Sequence, residues 1–298
     1  MSNKYDTWHK IKYILFAIIP WPLFKGVALL ATSIAQVAVS ADFIKNGGTL
    51  EGTQDYLIEY FSNAEASIRI TAVAQFVCFL IGLLILFKLL KRNDFGSPLK
   101  AFPRLTLPGT IVLMIGGAFV VLLSVSMYAL FAPNLLSGYQ ELMSSSGLTG
   151  FTVTSILTTL VLAPLNEEVL FRGVSFAWLK KAELKFWAVN IIQALLFGLT
   201  HMLIFTGLQY GIEYMNIIQG SYAFILGLFL GYIRERTGSL WGSILGHMVF
   251  NFVGTFVVAW LAGFGESVAG LVMIVGGVVF TVIGFVLMEL KRGKTENE

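Results

Sequence analysis

The chain has 298 residues, of which 56% are hydrophobic and 12% are charged, and its formal net charge is +3. Soluble domains carry about 25% charged residues, so this composition excludes an ordinary soluble protein, and the small net charge gives no reason to expect a nucleic-acid partner. The single cysteine, Cys78, excludes an internal disulfide and a zinc cluster built from cysteines. The composition therefore predicts an all-α, polytopic membrane protein.

Apolar runs with the length of a membrane-crossing helix recur along the chain. We predict about eight transmembrane helices, at residues 13–39, 68–87, 109–131, 151–179, 186–206, 217–233, 240–261 and 267–288. The first run is about twice as long as the 7–15-residue apolar region of a signal peptide, so we expect it to remain as a membrane anchor. We also expect a short surface helix near Tyr56–Phe61 and a cytoplasmic connector at Lys88–Pro108.

The distribution of basic residues orients these helices. With the N-terminus in the cytoplasm, all but three of the 20 lysines and arginines lie in inner segments or beside them. The three exceptions are Lys25, Lys45 and Arg69. The positive-inside rule then predicts that both termini are cytoplasmic.

The fourth predicted helix carries ionisable groups within an otherwise apolar segment, a combination that is typical of functional sites in membranes. Glu167 and Glu168 are adjacent, so their side chains point about 100° apart on a helix and cannot have the same role. Glu168 and Arg172 are spaced i,i+4 in the order that favours an ion pair. We predict that Arg172 holds Glu168, while Glu167 faces the bundle interior and is free for chemistry.

Two further helices each carry a histidine with a partner on the same face. Phe197 precedes His201 by four residues, and His247 precedes Asn251 by four residues. Counted along their helices, Glu167, His201 and His247 lie roughly 17–24 Å from the nearest basic residue at the cytoplasmic flank. We therefore expect Glu167, His201, His247 and Asn251 to share one layer that is reached from the cytoplasmic side.

The same residues, in this order, resemble the three motifs of the CAAX-protease and bacteriocin-processing (CPBP, or Abi) family of intramembrane proteases. The resemblance covers about residues 151–262 and rests on Glu167-Glu168-x-x-x-Arg172, Phe197-x-x-x-His201 and His247-x-x-x-Asn251. It implies a membrane-embedded CAAX-type peptidase with Glu167, His201, His247 and Asn251 as catalytic residues and with Glu168, Arg172 and Phe197 in support.

On this interpretation the chain has three parts. Residues 1–150 are an N-terminal membrane region with three transmembrane helices, residues 151–262 are the CPBP-like catalytic core with four, and residues 263–298 are the last helix and a cytoplasmic tail. The resemblance implies a multi-pass protein of a bacterial plasma membrane whose partners are membrane lipids and a peptide or protein substrate, lipidated in the eukaryotic relatives. Bacterial relatives are linked to bacteriocin immunity and peptide maturation.

Two mechanisms remain open for such a peptidase. In the metal-free one, Glu167 and His201 activate a water, and His247 and Asn251 donate hydrogen bonds to the oxyanion. In the other, His201, His247 and Glu167 bind zinc, with water in the fourth position. We favour the metal-free mechanism, because the His-Glu-x-x-His signature of many zinc proteases is absent from the sequence, and zinc stays the possible cofactor of the alternative.

Two other functions compete with a peptidase. One is a non-catalytic membrane immunity or scaffold protein that keeps the protease fold. The other is a proton-coupled transporter, in which membrane Glu and His residues relay protons. A transporter is expected to contain inverted repeats, and we find none in the sequence.

Overall fold

The computed structural model describes residues 2–89, 108–145, 151–202 and 216–295. These ranges are almost entirely helical and contain no β-strand. Their helices are α1 (Ser2–Ile18), α2 (Pro20–Lys45), α3 (Thr53–Ser62), α4 (Ala64–Leu84), α5 (Pro108–Phe131), α6 (Pro133–Ser145), α7 (Val153–Lys181), α8 (Phe186–His201), α9 (Asn216–Thr237), α10 (Leu240–Ala262) and α11 (Glu266–Thr295).

Seven segments of the described chain are long and apolar enough to cross a membrane. They are Thr7–Lys45, Ala64–Phe87, Pro108–Phe131, Val153–Lys181, Asn216–Thr237, Leu240–Ala262 and Ser267–Leu290. Each coincides with one of the predicted spans, so the prediction of an all-α polytopic bundle is confirmed. The remaining predicted span corresponds to α8, an apolar helix of 16 residues, which is about 24 Å long. The count of eight and the position of the termini stay predictions.

The N-terminal helical segment is longer than the predicted span 13–39. Helices α1 and α2 meet at Ile19, and together they form one candidate membrane segment that continues to Lys45. Pro20 is tolerated at this junction because the first position of a helix needs no backbone N–H donor. The predicted surface helix lies within α3. The predicted connector at Lys88–Pro108 lies almost wholly outside the described residues.

Helix α7 occupies the centre of the bundle, where it contacts α1, α2, α4, α8, α9 and α10. Two π-helical turns, Thr158–Leu162 and Val169–Ser175, flank the short α-helical segment Ala163–Glu168. A π-turn changes which side chains face a given neighbour, and such turns are frequent at functional sites. Every residue of Val169–Ser175 is buried, so side chains in this part of α7 meet other helices instead of lipid.

Helices α5 and α11 pack through a glycine seam, defined here as Gly109 and Gly116 of α5 with Gly284 of α11. A Cβ atom at Gly116 would clash with the backbone nitrogen of Thr281, and one at Gly284 would lie 2.7 Å from Leu113 Cα. Small residues allow membrane helices to approach this closely. The seam therefore brings the backbones of two helices into direct contact.

Candidate active site

Glu168 is a fully buried carboxylate that two basic side chains contact. Arg172, one turn later in α7, places Nη1 2.9 Å from Glu168 Oε1, and neither side chain has exposed surface. His247 of α10 places Nδ1 2.9 Å from the same oxygen. The predicted i,i+4 ion pair is therefore present. The contact with His247 is an addition that the sequence did not predict.

Phe197 of α8 forms a wall shared by three of the polar side chains. The guanidinium carbon of Arg172 lies 4.3 Å from the centroid of its ring, a cation–π distance. The rings of His201 and His247 pack edge to face against Phe197, with centroid separations of 4.7 and 5.9 Å. The ring of Phe197 therefore restricts the positions of the Arg172 guanidinium and of both imidazoles.

Glu167 faces the two histidines, as the sequence predicted. Its Oε2 atom lies 3.8 Å from His201 Nε2 and 3.9 Å from His247 Nε2. These distances are longer than a direct hydrogen bond, which rarely exceeds about 3.2 Å. The three atoms come from α7, α8 and α10, so three helices meet at this point. We call Glu167, Glu168, Arg172, His201 and His247 the polar centre.

The hydrogen bonds of the two histidines indicate which ring nitrogen carries a proton. His201 Nδ1 lies 2.9 Å from the carbonyl oxygen of Phe197, and a carbonyl only accepts, so Nδ1 donates. His247 Nδ1 faces the Glu168 carboxylate, which likewise accepts when it is ionised. Each Nε2 is then a bare acceptor when its ring is neutral and a donor only when the ring is protonated.

Asn251 lies one turn beyond His247 in α10, as the sequence predicts, but its hydrogen bond is with the backbone of α7 and not with Glu167 or a histidine. Its Nδ2 donates a hydrogen bond of 2.7 Å to the carbonyl oxygen of Thr159, in the first π-turn of α7. Within the described chain, hydrogen bonds and ion pairs join the members of the polar centre to one another. The hydrogen bond of Asn251 goes instead to Thr159. Asn251 thus ties α10 to α7 beside the polar centre.

Lys25 of α2 is a charge near the polar centre that sequence reasoning missed. It is partly buried and interacts electrostatically with Glu167 and His201. In the sequence, Lys25 stands out only as an exception to the pattern of inner charges. The sequence did contain a sign of its position. Lys25 is 13 residues from Lys12, and Glu167 is likewise 13 residues from Lys180, so both lie at a similar depth from the cytoplasmic flank.

The packing of α1 and α2 explains why Lys25 lies at this depth. Ser175 Oγ of α7 donates a 2.7 Å hydrogen bond to the carbonyl oxygen of Ala17. Glu167 is eight residues from Ser175, and Lys25 is eight residues from Ala17. Because α2 and α7 run antiparallel, Lys25 and Glu167 lie in the same direction from this hydrogen bond, each about 12 Å along its helix.

The side chains named for zinc do not fit a zinc site as they stand. Tetrahedral zinc with bonds of about 2.0–2.1 Å holds neighbouring ligand atoms about 3.3 Å apart, whereas Glu167 Oε2 is 3.8 and 3.9 Å from the two Nε2 atoms. Across residues 2–89, 108–145, 151–202 and 216–295, no group of three or more His, Cys, Asp and Glu side chains is placed to hold a metal ion.

Comparison with known proteins finds a family match over the same region. Residues 149–253 match the family model described as type II CAAX prenyl endopeptidase Rce1-like. The chain is 31% identical over 109 residues to an uncharacterized 24.3 kDa protein of Escherichia coli, which is 34% of this chain and 43% of that protein. It is 25% identical over 162 residues to CAAX prenyl protease 2 of Arabidopsis thaliana, which is 52% of this chain and 50% of the relative.

These matches cover half or less of the length of both curated relatives. No solved structure matches the chain with significance. The family match begins just before α7, ends within α10, and includes every member of the polar centre together with Phe197 and Asn251. The resemblance seen in the three motifs is therefore confirmed: over residues 149–253 the chain matches the Rce1-like type II CAAX prenyl endopeptidases, a family of membrane proteases.

Proposed function

We propose that this protein is an intramembrane endopeptidase that hydrolyses a peptide bond near the cytoplasmic side of the membrane. The observation that carries the proposal is the convergence of Glu167 Oε2 with the Nε2 atoms of His201 and His247, at 3.8 and 3.9 Å. A carboxylate and two imidazoles can activate a water, stabilise an oxyanion and return a proton to the leaving amine. The family match over the same residues supports this reaction class.

Glu167 and His201 are the groups that activate the water in this mechanism. His201 is fixed by its Nδ1–H bond to the Phe197 carbonyl, so its neutral Nε2 accepts a hydrogen bond, as does the Glu167 carboxylate. A water between them donates one hydrogen to each acceptor and directs its lone pairs away. Glu167 takes the proton as the water attacks the substrate carbonyl and then delivers it to the leaving nitrogen.

His247 and Asn251 stabilise the oxyanion. The Nδ1–H of His247 bonds to Glu168, so Nε2 can donate only from a protonated ring, and the Glu168 carboxylate favours that imidazolium. Asn251 uses one amide hydrogen on the Thr159 carbonyl and retains a second. Lys25 adds a positive charge in electrostatic range of Glu167, which favours negative charge that develops at the site.

The substrate we propose is a peptide or protein segment, with or without an attached lipid. The name of the Arabidopsis relative, CAAX prenyl protease 2, makes a prenylated C-terminus one candidate. We further propose that the protein spans a bacterial plasma membrane and that residues 151–262 form its catalytic core, between the N-terminal region 1–150 and the last helix with its tail, 263–298.

The test compares wild-type protein with Glu167→Gln on a diverse peptide pool, with and without C-terminal lipid, read by mass spectrometry. We expect wild type to cleave and Glu167→Gln to lose at least about 10²-fold in rate, since glutamine cannot accept the proton. Glu59→Gln, an exposed position in α3, is the matched control and should cleave normally. Equal cleavage by Glu167→Gln would remove this residue from the mechanism.

Two other results would change the proposal in specific ways. Cleavage by none of the proteins would favour the non-catalytic scaffold. Stoichiometric zinc in the active wild-type protein, with cleavage lost on chelation and restored by zinc, would replace the metal-free scheme with the metal-dependent one.

A further inference from the structure

A cleft of about 130 Å³ lies between α2 and α4 and reaches α7. Its volume is several times the roughly 30 Å³ that one water occupies in the liquid. Its wall combines apolar side chains, among them Phe24, Ala28 and Ala74, with the polar side chains of Thr71, Gln75 and Asn166. Phe24, Ala28, Thr71 and Gln75 are only partly buried and belong to two candidate membrane spans. The cleft therefore opens toward the membrane.

The cleft adjoins the carboxylate proposed as the general base. Asn166 directly precedes Glu167 in α7, so the two side chains point about 100° apart. The amide of Asn166 donates a hydrogen bond to Gln75 Oε1 of α4, whereas Glu167 faces α8 and α10. Cys78, another residue of the cleft wall, interacts electrostatically with Glu167. Adjacent residues of α7 thus belong to the cleft wall and to the polar centre.

Asn166 carries an unused hydrogen-bond acceptor in this wall. The residue is fully buried, and its Oδ1 atom accepts no hydrogen bond from the described part of the protein. An unpaired buried acceptor costs about 1–3 kcal/mol, and a membrane supplies no water to pair with it. A peptide N–H is the matching donor, and the adjoining amide of Gln75 can bond to the same peptide.

We propose that this cleft is the groove for an extended segment of the substrate polypeptide, which enters between α2 and α4 from the membrane side. The amides of Gln75 and Asn166 pair with its backbone, and the neighbouring peptide bond reaches Glu167. A hydrocarbon chain in the same place would leave both amides unpaired, so the chemistry of the wall favours a peptide. This inference rests on the proposed function.

The experiment uses the full-length Glu167→Gln protein and a pool of apolar peptides that contain photo-leucine, with crosslinked residues mapped by mass spectrometry. We expect crosslinks at Phe24, Ala28, Thr71 or Gln75. Ala28→Trp fills the groove and should reduce their yield by about tenfold or more. The matched control, Leu29→Trp, adds the same ring one residue away on a side chain that is 62% exposed, and it should leave the yield unchanged.

Cleavage of the same pool by wild type separates this inference from the proposed function. Wild-type cleavage with crosslinks confined to other helices, or with none in the groove, overturns the groove and leaves the peptidase standing. Groove crosslinks without any cleavage support the groove and overturn the peptidase.

Where cleavage occurs, Gln75→Leu should raise KM and leave kcat unchanged, because it removes a substrate contact and keeps the polar centre. A fall in kcat alone would contradict a binding role for Gln75.

Discussion

The polar centre and the glycine seam hold membrane helices together in two different ways. In the seam, Gly116 and Gly284 allow α5 and α11 to touch through their backbones. In the polar centre, Glu168 bonds Arg172 within α7 and His247 across to α10. The seam serves packing alone, whereas one carboxylate in the polar centre both joins two helices and orients an imidazole. Substitutions in the seam should therefore change stability, and substitutions in the polar centre should change stability and chemistry together.

We expect the largest effect from Arg172→Met. This substitution removes the ion pair between Arg172 and Glu168 and leaves the buried Glu168 carboxylate with His247 as its remaining basic partner. Removing one partner of a buried pair typically destabilises a protein by about 3–5 kcal/mol. The variant should unfold at much lower SDS concentration in detergent than wild type. The folded fraction should also cleave poorly, because Glu168 loses the partner that fixes its position and then orients His247 less precisely.

Arg172→Lys is the control for this prediction. It keeps the charge beside Glu168 but lacks the planar group that stacks on Phe197, so its stability should fall between those of Arg172→Met and wild type. Wild-type stability in Arg172→Met would show that the ion pair is dispensable. The polar centre and the glycine seam would then both hold their helices by packing.

The contrast also shows how much of the molecule the sequence could predict. Hydropathy predicted the membrane helices, and spacing on one helix predicted the contact between Glu168 and Arg172, since residues four apart share a face of an α-helix. The contact between His247 and Glu168 joins residues 79 positions apart. It depends on how α7 and α10 are rotated about their axes.

That rotation depends on features that hydrophobic periodicity does not reveal. The π-turns Thr158–Leu162 and Val169–Ser175 alter the face that α7 presents, and no residue type in them marks a π-turn. The same applies to Lys25, which was visible as a charge but lies in electrostatic range of Glu167 only because of the packing of α2. Local spacing thus predicts pairs within a helix, and the meeting of helices has to be seen in three dimensions.

A smaller effect is expected from Asn251→Ala, which tests whether the contact with Thr159 is purely structural. If the second amide hydrogen serves the oxyanion, kcat should fall by about 10²–10³, or about 2.7–4 kcal/mol in the barrier. The free energy of unfolding should fall by only about 0.5–1.5 kcal/mol for the lost hydrogen bond. Steady-state kinetics and SDS unfolding measure both. A small change in kcat with lower stability would make Asn251 a helix tie alone.

The smallest effect is expected in the seam, from Gly116→Ala. The added methyl group meets the backbone of Thr281, so α5 and α11 must separate, and overpacking of this kind typically costs about 1–3 kcal/mol. Gly270→Ala in α11, where a Cβ atom meets nothing within 4 Å, is the matched control and should not destabilise the protein. Cleavage per folded molecule should equal that of wild type in both variants, because no member of the polar centre belongs to either helix. If Gly116→Ala lowered kcat in fully folded protein, the seam would be coupled to the polar centre, and the division between packing and chemistry would not hold.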